Sequence, residues 1–153
     1  VVCDAYSTET AISRLKMALL CTVTKAGKES EIGNICLKID WLYQDLADEL
    51  EENSSDYESK KENYLAEAHN FAMNAYEHLS KARMEESFPI AGMNETTLDY
   101  LLSYLGYVKG EYQTAMQYLS GVVSTRGISP RLKDKCLELK ELLNQKLHAS
   151  ADQ

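Results

Sequence analysis

An all-α fold is what this 153-residue sequence predicts, and three observations lead there. Only 2 prolines and 7 glycines interrupt the chain, which favours long helices over strands joined by tight turns. Apolar residues recur at three- and four-residue steps in six separate stretches, the spacing of a helix face. No stretch reads convincingly as a strand. The length suits one compact domain with a real core, and the expected architecture is about six helices over residues 1–153. They are expected to form antiparallel pairs in a short right-handed α-α superhelix.

The first helix is expected to start near Ser7, with Glu9 in its first turn, where a carboxylate suits the positive end of the helix dipole. It runs through Ala11, Leu15, Ala18 and Leu19 to a stop at Gly27. The second carries Ile32, Ile35, Cys36, Ile39, Leu42, Tyr43 and Leu46 as a continuous stripe. The third carries Tyr64, Ala68, Phe71, Ala72, Ala75, Leu79 and Ala82, and its small alanines let a neighbour approach closely. Asn94 caps the fourth helix, which runs through Leu98, Leu102 and Leu105 to Gly110. The fifth covers Tyr112 to Val123. Ser129-Pro130 opens the sixth, with Ser as N-cap and Pro at the first helical position, ahead of Leu132, Cys136, Leu139 and Leu143.

Two segments fall outside this pattern. Residues 48–59, acidic and rich in serine, have almost nothing to bury and read as a solvated insertion. Residues 86–93, containing Phe88-Pro89-Ile90-Ala91-Gly92-Met93, are too apolar for a loose linker and read as an ordered connection. Met93 and Phe88 are the expected plugs within it.

Lys109-Gly110-Glu111-Tyr112-Gln113-Thr114-Ala115 resembles the centre of a tetratricopeptide repeat. Gly permits the reversal, Tyr packs into the hairpin, and Ala lets two helices cross closely. Leu42 to Asp48 is a weaker match to the same turn, with Ala47 where Gly is usual. The two turns lie 63 residues apart (110 minus 47), beyond one repeat of about 34 residues, so the chain is tetratricopeptide-like and not a regular array. Three phrases extend the resemblance: Leu37-Lys38-Ile39-Asp40-Trp41-Leu42-Tyr43, Pro89-Ile90-Ala91-Gly92-Met93-Asn94-Glu95-Thr96-Thr97-Leu98 and Ser129-Pro130-Arg131-Leu132-Lys133-Asp134. In this order they resemble the C-terminal part of an uncharacterised bacterial family, a domain of unknown function. The resemblance implies a cysteine-rich, metal-binding segment ahead of these helices in the natural chain, and a bacterial cytoplasmic origin. It implies no activity.

Net charge is −8 and unevenly spread: +1 over residues 1–39, −11 over 40–100 and +2 over 101–153. The acidic middle argues against a nucleic-acid partner, which calls for a basic stripe. No apolar run approaches the roughly 18 residues of a membrane span, so no membrane role is expected. The start, Val1-Val2-Cys3-Asp4, lacks the basic and apolar regions of a secretory signal, and the absence of Met at position 1 suggests a fragment or processed chain. Cys3, Cys21, Cys36 and Cys136 have no zinc-knuckle or redox-pair spacing. The last three are expected on apolar helix faces as reduced, small hydrophobes in a cytoplasmic protein. His69, His78 and His148 form no metal-ligand spacing, and no nucleophile motif or glycine-rich phosphate loop occurs. Neither enzyme activity nor a cofactor is expected.

The composition points instead to protein recognition. Ten tyrosines occur, with Tyr100, Tyr104, Tyr107, Tyr112 and Tyr118 in one hairpin. In tetratricopeptide stacks the first helix of each pair lines a concave groove. Aligned on the turns, its lining here is Asn34, Leu37, Lys38 and Trp41, then Thr97, Tyr100 and Tyr104. Trp and Tyr offer large amphipathic area at modest entropy loss, which suits a peptide or partner helix. A second expectation is a scaffold or homodimerisation domain for the metal-binding segment; a third is a small-molecule sensor or enzyme. Ser129, Arg131 and Lys133, at a helix N-terminus, form a candidate anion site.

Overall fold

The computed structural model describes residues 3–151, with side chains described from Tyr6 to Ala149, and the fold is all-α. The six helices are α1 (Cys3–Thr24), α2 (Glu29–Asp48), α3 (Tyr57–Glu85), α4 (Glu95–Lys109), α5 (Tyr112–Val123) and α6 (Pro130–Ala151). Among the described residues there is no strand, only an isolated bridge between Ile90 and Met93. The chain packs as two compact units that divide between Glu85 and Glu86, at the start of the expected connection.

The first unit holds α1, α2 and α3, with α2 packed against both neighbours. Two faces of α2 are therefore apolar. Ile39, Tyr43 and Leu46 join Ile12 of α1 and Ala68 of α3 in one core cluster, against which Leu15, Leu19, Tyr64 and Phe71 pack. The other contact is set by size. Gly33 lies so close to α3 that a Cβ there would stand 2.7 Å from Leu79 Cγ and 3.1 Å from the Leu79 backbone nitrogen. The α3 surface allows this approach because Ala68, Ala72, Ala75 and Ala82 are its buried residues beside Tyr76 and Leu79. The alanines of the third helix thus act as the sequence predicts. Its start does not: α3 begins at Tyr57, about two turns before Tyr64, and takes Tyr57, Glu58 and Ser59 from the expected acidic insertion. Asp56 and Lys60 (3.1 Å) and Lys61 with Tyr57 Oη (3.0 Å) support those turns, which bury little. The remaining loop, 49–56, is solvated, as its composition requires.

The other end of that loop also differs from the sequence reading. Ala47 is buried in the last turn of α2 and makes no reversal; Glu49 is the C-cap. The first helix likewise begins earlier than Ser7, at Cys3, so that Ser7 lies within the helix and does not cap it. At α2, the Glu31 carboxylate reaches back to the Lys28 N–H (3.3 Å), half of a capping box.

The second unit holds α4, α5 and α6, and here the boundaries follow the sequence signals. Asn94 accepts from the Thr97 N–H (2.8 Å) and Ser129 Oγ from the Leu132 N–H (3.1 Å). Gly110 takes the left-handed conformation, φ 96°, and the Gly110 and Glu111 N–H groups both bond to Gly106 O. Tyr112 packs on Tyr107 with ring centroids 6.1 Å apart, and Ala115 is fully buried at the crossing. The buried hydroxyl of Ser103 donates to Ala115 O (2.7 Å). The core comprises Ala115, Leu119, Val122, Cys136, Leu139 and Leu143. Ahead of α4, Ile90 and Met93 exchange both backbone hydrogen bonds across Ala91 and Gly92, each at positive φ. The buried residue of this connection is Ile90; Phe88 and Met93, the expected plugs, are half-buried.

Gly33→Ala tests the α2–α3 approach. In an exposed helix interior the change stabilises by about 1 kcal/mol. Here the Leu79 backbone cannot yield, and overpacking of this kind costs about 1–3 kcal/mol, so the variant melts at lower temperature than the wild type.

Candidate functional site

The aromatic positions are built on two faces, one in each unit. On α2 the helix buries Gly33, Cys36, Leu37, Asp40 and Tyr43 toward its neighbours and leaves one strip open. Asn34, Lys38 and Trp41, spaced by four and three residues, stand in that strip with Asp45 and Asp48. Trp41 is 51% exposed and Lys38 is exposed, while Asn34 is half-buried. Leu37, expected beside them, is 2% exposed and belongs to the core, because it lies one step around the helix from Lys38.

On α4, Tyr104 is 43% exposed, with exposed Thr97 seven residues before it on the same face. Tyr100 differs. It is half-buried against the core cluster of α5 and α6, and burial beside Cys136 and Tyr104 raises its phenol pKa. Tyr107 and Tyr112 pack against the same core. Of these tyrosines, Tyr104 is the one most open to a partner. Trp41 stands on the first unit and Tyr104 on the second.

Of the candidate anion-site residues, Ser129 and Lys133 divide between two clefts of the second unit. Ser129 caps α6 and lines an open, polar cleft of about 390 Å³ with Asn94, Thr96, Thr97 and Arg126. Arg131 does not line it, and Lys133 lines a different cleft with Val123 and Leu137. Arg126 is the basic residue of this polar cleft, and its place just before the α6 cap is the sequence signal for it.

The titratable groups add little chemistry. Among the described residues no three His, Cys, Asp or Glu side chains gather as a metal site. His78 Nδ1 pairs with the Glu29 carboxylate and ties α3 to the start of α2. His69 and His148 are exposed. Lys16 Nζ donates to Tyr43 Oη (2.6 Å) and lies over the Tyr43 and Phe71 rings, a cation–π contact across the three helices of the first unit. Asp40, like Asp99, is a buried carboxyl. Burial raises its pKa from 3.8, opposed by the Gln44 amide, which donates to Oδ1 (2.8 Å), and by His69. Burial also pushes the Cys36 thiol up to about 11 and raises that of Cys136. Cys21, expected on an apolar packed face, is exposed instead, on the side of α1 turned away from Ile12, Leu15 and Leu19. The Cys3 side chain lies outside the described residues.

A family model described as an uncharacterized protein conserved in bacteria (DUF2225) matches residues 2–143. No curated protein and no solved structure matches the chain. No helix among the described residues is long and apolar enough to cross a membrane.

Two outcomes follow from the buried groups. The folded chain holds the Asp40 proton more tightly than the unfolded chain does, so this group's contribution to stability falls as pH rises through the ordinary carboxylate range. Asp40→Asn keeps an acceptor for Gln44, and thermal melts should show it more stable than the wild type at neutral pH, with no advantage below pH 3.8. In a Cys3→Ser background, iodoacetamide should label Cys21 in the native state, and Cys36 and Cys136 only after denaturation.

Proposed function

The chain belongs to the DUF2225 family of bacterial proteins, whose description names no activity, and from its exposed surface we propose that it is a protein-interaction module. The observation that carries this reading is Trp41. It is the only tryptophan of the sequence, and half its surface stands in solvent on the open strip of α2 while alanine fills much of the α2–α3 contact. A large aromatic side chain kept outside the core is a feature of binding surfaces, where Trp and Tyr dominate the energy. Lys38 and Asn34 add polar contacts beside it, and Tyr104 offers a second, separate aromatic anchor on α4. The tetratricopeptide-like character of the helix pairs supports the same reading, with a peptide or partner helix as ligand, no catalysis and a cytoplasmic setting. The polar cleft beside Ser129 and Arg126 does not favour an enzyme, because no His, Asp, Glu or Lys lines it to activate its Ser and Thr hydroxyls.

A second reading, self-association or scaffolding for an N-terminal metal-binding segment, is favoured by one feature. On α1, Tyr6, Met17, Leu20 and Val23 are 74%, 70%, 65% and 53% exposed, an apolar surface of the kind that oligomers cover. Sedimentation velocity over a concentration series separates it from the first, since a monomer at all concentrations excludes a homodimer.

Affinity capture from a bacterial lysate tests the leading reading, with Trp41→Ala and Tyr104→Ala baits matched to the wild type by circular dichroism. A retained protein should lose about 2 kcal/mol of binding, roughly thirtyfold, on the Trp41→Ala bait. Retention unchanged on both variants would remove the aromatic surfaces from consideration.

A further inference from the structure

Helix α5 carries Met116, Ser120 and Val123 along one side, spaced by four and three residues, and α6 carries Lys133, Leu137 and Lys140 with the same spacing. Two clefts lie along these rows. One, of about 190 Å³, is lined by Met116, Leu119, Ser120, Val123, Ser124 and Lys140. The other, of about 240 Å³, is lined by residues that include Val123, Ile128, Lys133, Cys136 and Leu137. Val123 lines both, so the clefts adjoin. It is 46% exposed and Leu137 is 54% exposed, whereas Leu119 and Cys136 form a buried floor. Each cleft is smaller than the roughly 300–1,000 Å³ of a small-molecule site. Each suits a single apolar side chain.

The charges on this groove are of one sign. Lys133 and Lys140 are the charged residues of the two linings, and no carboxylate lines either cleft. The sequence explains why. Three and four residues away from Lys133 stand Ser129, Pro130, Cys136 and Leu137; for Lys140 the neighbours are Cys136, Leu137, Leu143 and Asn144. None can form an ion pair along the helix. Lys60, Lys81 and Lys109 do pair with carboxylates, but Lys133 and Lys140 have no such partner among the described residues. In a chain of net charge −8, two unneutralised ammonium groups flank an open apolar groove.

We propose that the α5–α6 groove takes an acidic amphipathic helix of a partner protein, with two apolar side chains in the adjoining clefts and carboxylates beside Lys133 and Lys140. Seven residues of helix separate the two lysines, about 10 Å at 1.5 Å per residue, so carboxylates at i and i+7 of a helix laid along α6 meet both. A membrane surface fits less well: the net charge opposes approach to anionic lipid, and paired concave clefts call for discrete side chains. This surface is distinct from the Trp41 strip and does not depend on it.

The test is selection from a phage-displayed random peptide library on the whole chain, followed by fluorescence anisotropy with the enriched peptides. Peptides pairing Leu, Ile or Phe with Asp or Glu should be enriched. The Lys133→Glu, Lys140→Glu double variant should bind them at least about tenfold more weakly, as should Leu137→Ala. Versions of the peptides with Lys in place of Glu and Asp should prefer the double variant, a reversal that misfolding cannot produce. Trp41→Ala should bind as the wild type does. No enrichment, enrichment without acidic residues, or binding indifferent to the charge reversal overturns the proposal. So does loss of binding in Trp41→Ala, or co-sedimentation with phosphatidylserine vesicles that the double variant abolishes.

Discussion

The first unit depends on one close approach, that of Gly33 on α2 to Leu79 on α3. With any larger residue at position 33 the two helices would separate, and the alanine contacts along α3 would lose their partners. Dispersion falls steeply with even a fraction of an ångström of gap, so an alanine-lined contact is cohesive only when the backbones are close. Leu79 is fully buried there, and burying a leucine contributes about 2 kcal/mol. The larger side chains of α2 pack where α1 also meets the cluster, Tyr43 stacked 6.0 Å from Phe71 of α3 and Ile39 in one core with Ile12 of α1. Trp41 emerges on the strip of α2 that neither neighbour covers.

The second unit solves the same crossing problem with different atoms. At the α4–α5 hairpin the small residues are Ser103, Gly106 and Ala115, and the hydroxyl of Ser103 is satisfied by the Ala115 carbonyl. A buried hydroxyl without an acceptor costs about 1–3 kcal/mol, more than this bond contributes, so the crossing tolerates Ser103 because that carbonyl is within reach. The reversal at Gly110 and the crossing at Ala115 thus follow the local signals of the sequence.

Much of the fold was legible in the sequence, and the legible parts share a cause. Asn94, Gly110, Ser129 and Pro130 act through local backbone geometry, so α4, α5 and α6 begin and end where those residues place them. The early starts of α1 and α3 were not legible, because their first turns carry no apolar period. Ala47 lies in the last turn of α2 and not in a reversal; a small residue in a repeat-like phrase reads alike whether it permits a reversal or a tight helix contact. For the candidate site, alignment on the repeat-like turns points to the strip of Asn34, Lys38 and Trp41, which the helix leaves open. That alignment does not separate Leu37 from Lys38, or Tyr100 from Tyr104, since adjacent steps around a helix differ by an angle that only the packed neighbour makes decisive. Cys21 follows the same rule. Its apolar surroundings in sequence are real, but the α1 segment is apolar on two sides and only one is covered.

The order of packing has a kinetic consequence. Within each unit the main contacts join helices that follow one another in the chain, α1 to α2 to α3 and α4 to α5 to α6. Such a topology has low contact order, and little loop-closure entropy is lost before contacts form, which places folding in the microsecond-to-millisecond range. A ribosome adds roughly 5–20 residues per second, far slower than that. Each helix pair therefore has time to close as it is synthesised, and the unit ending at Glu85 can be complete before the hairpin at Gly110 exists.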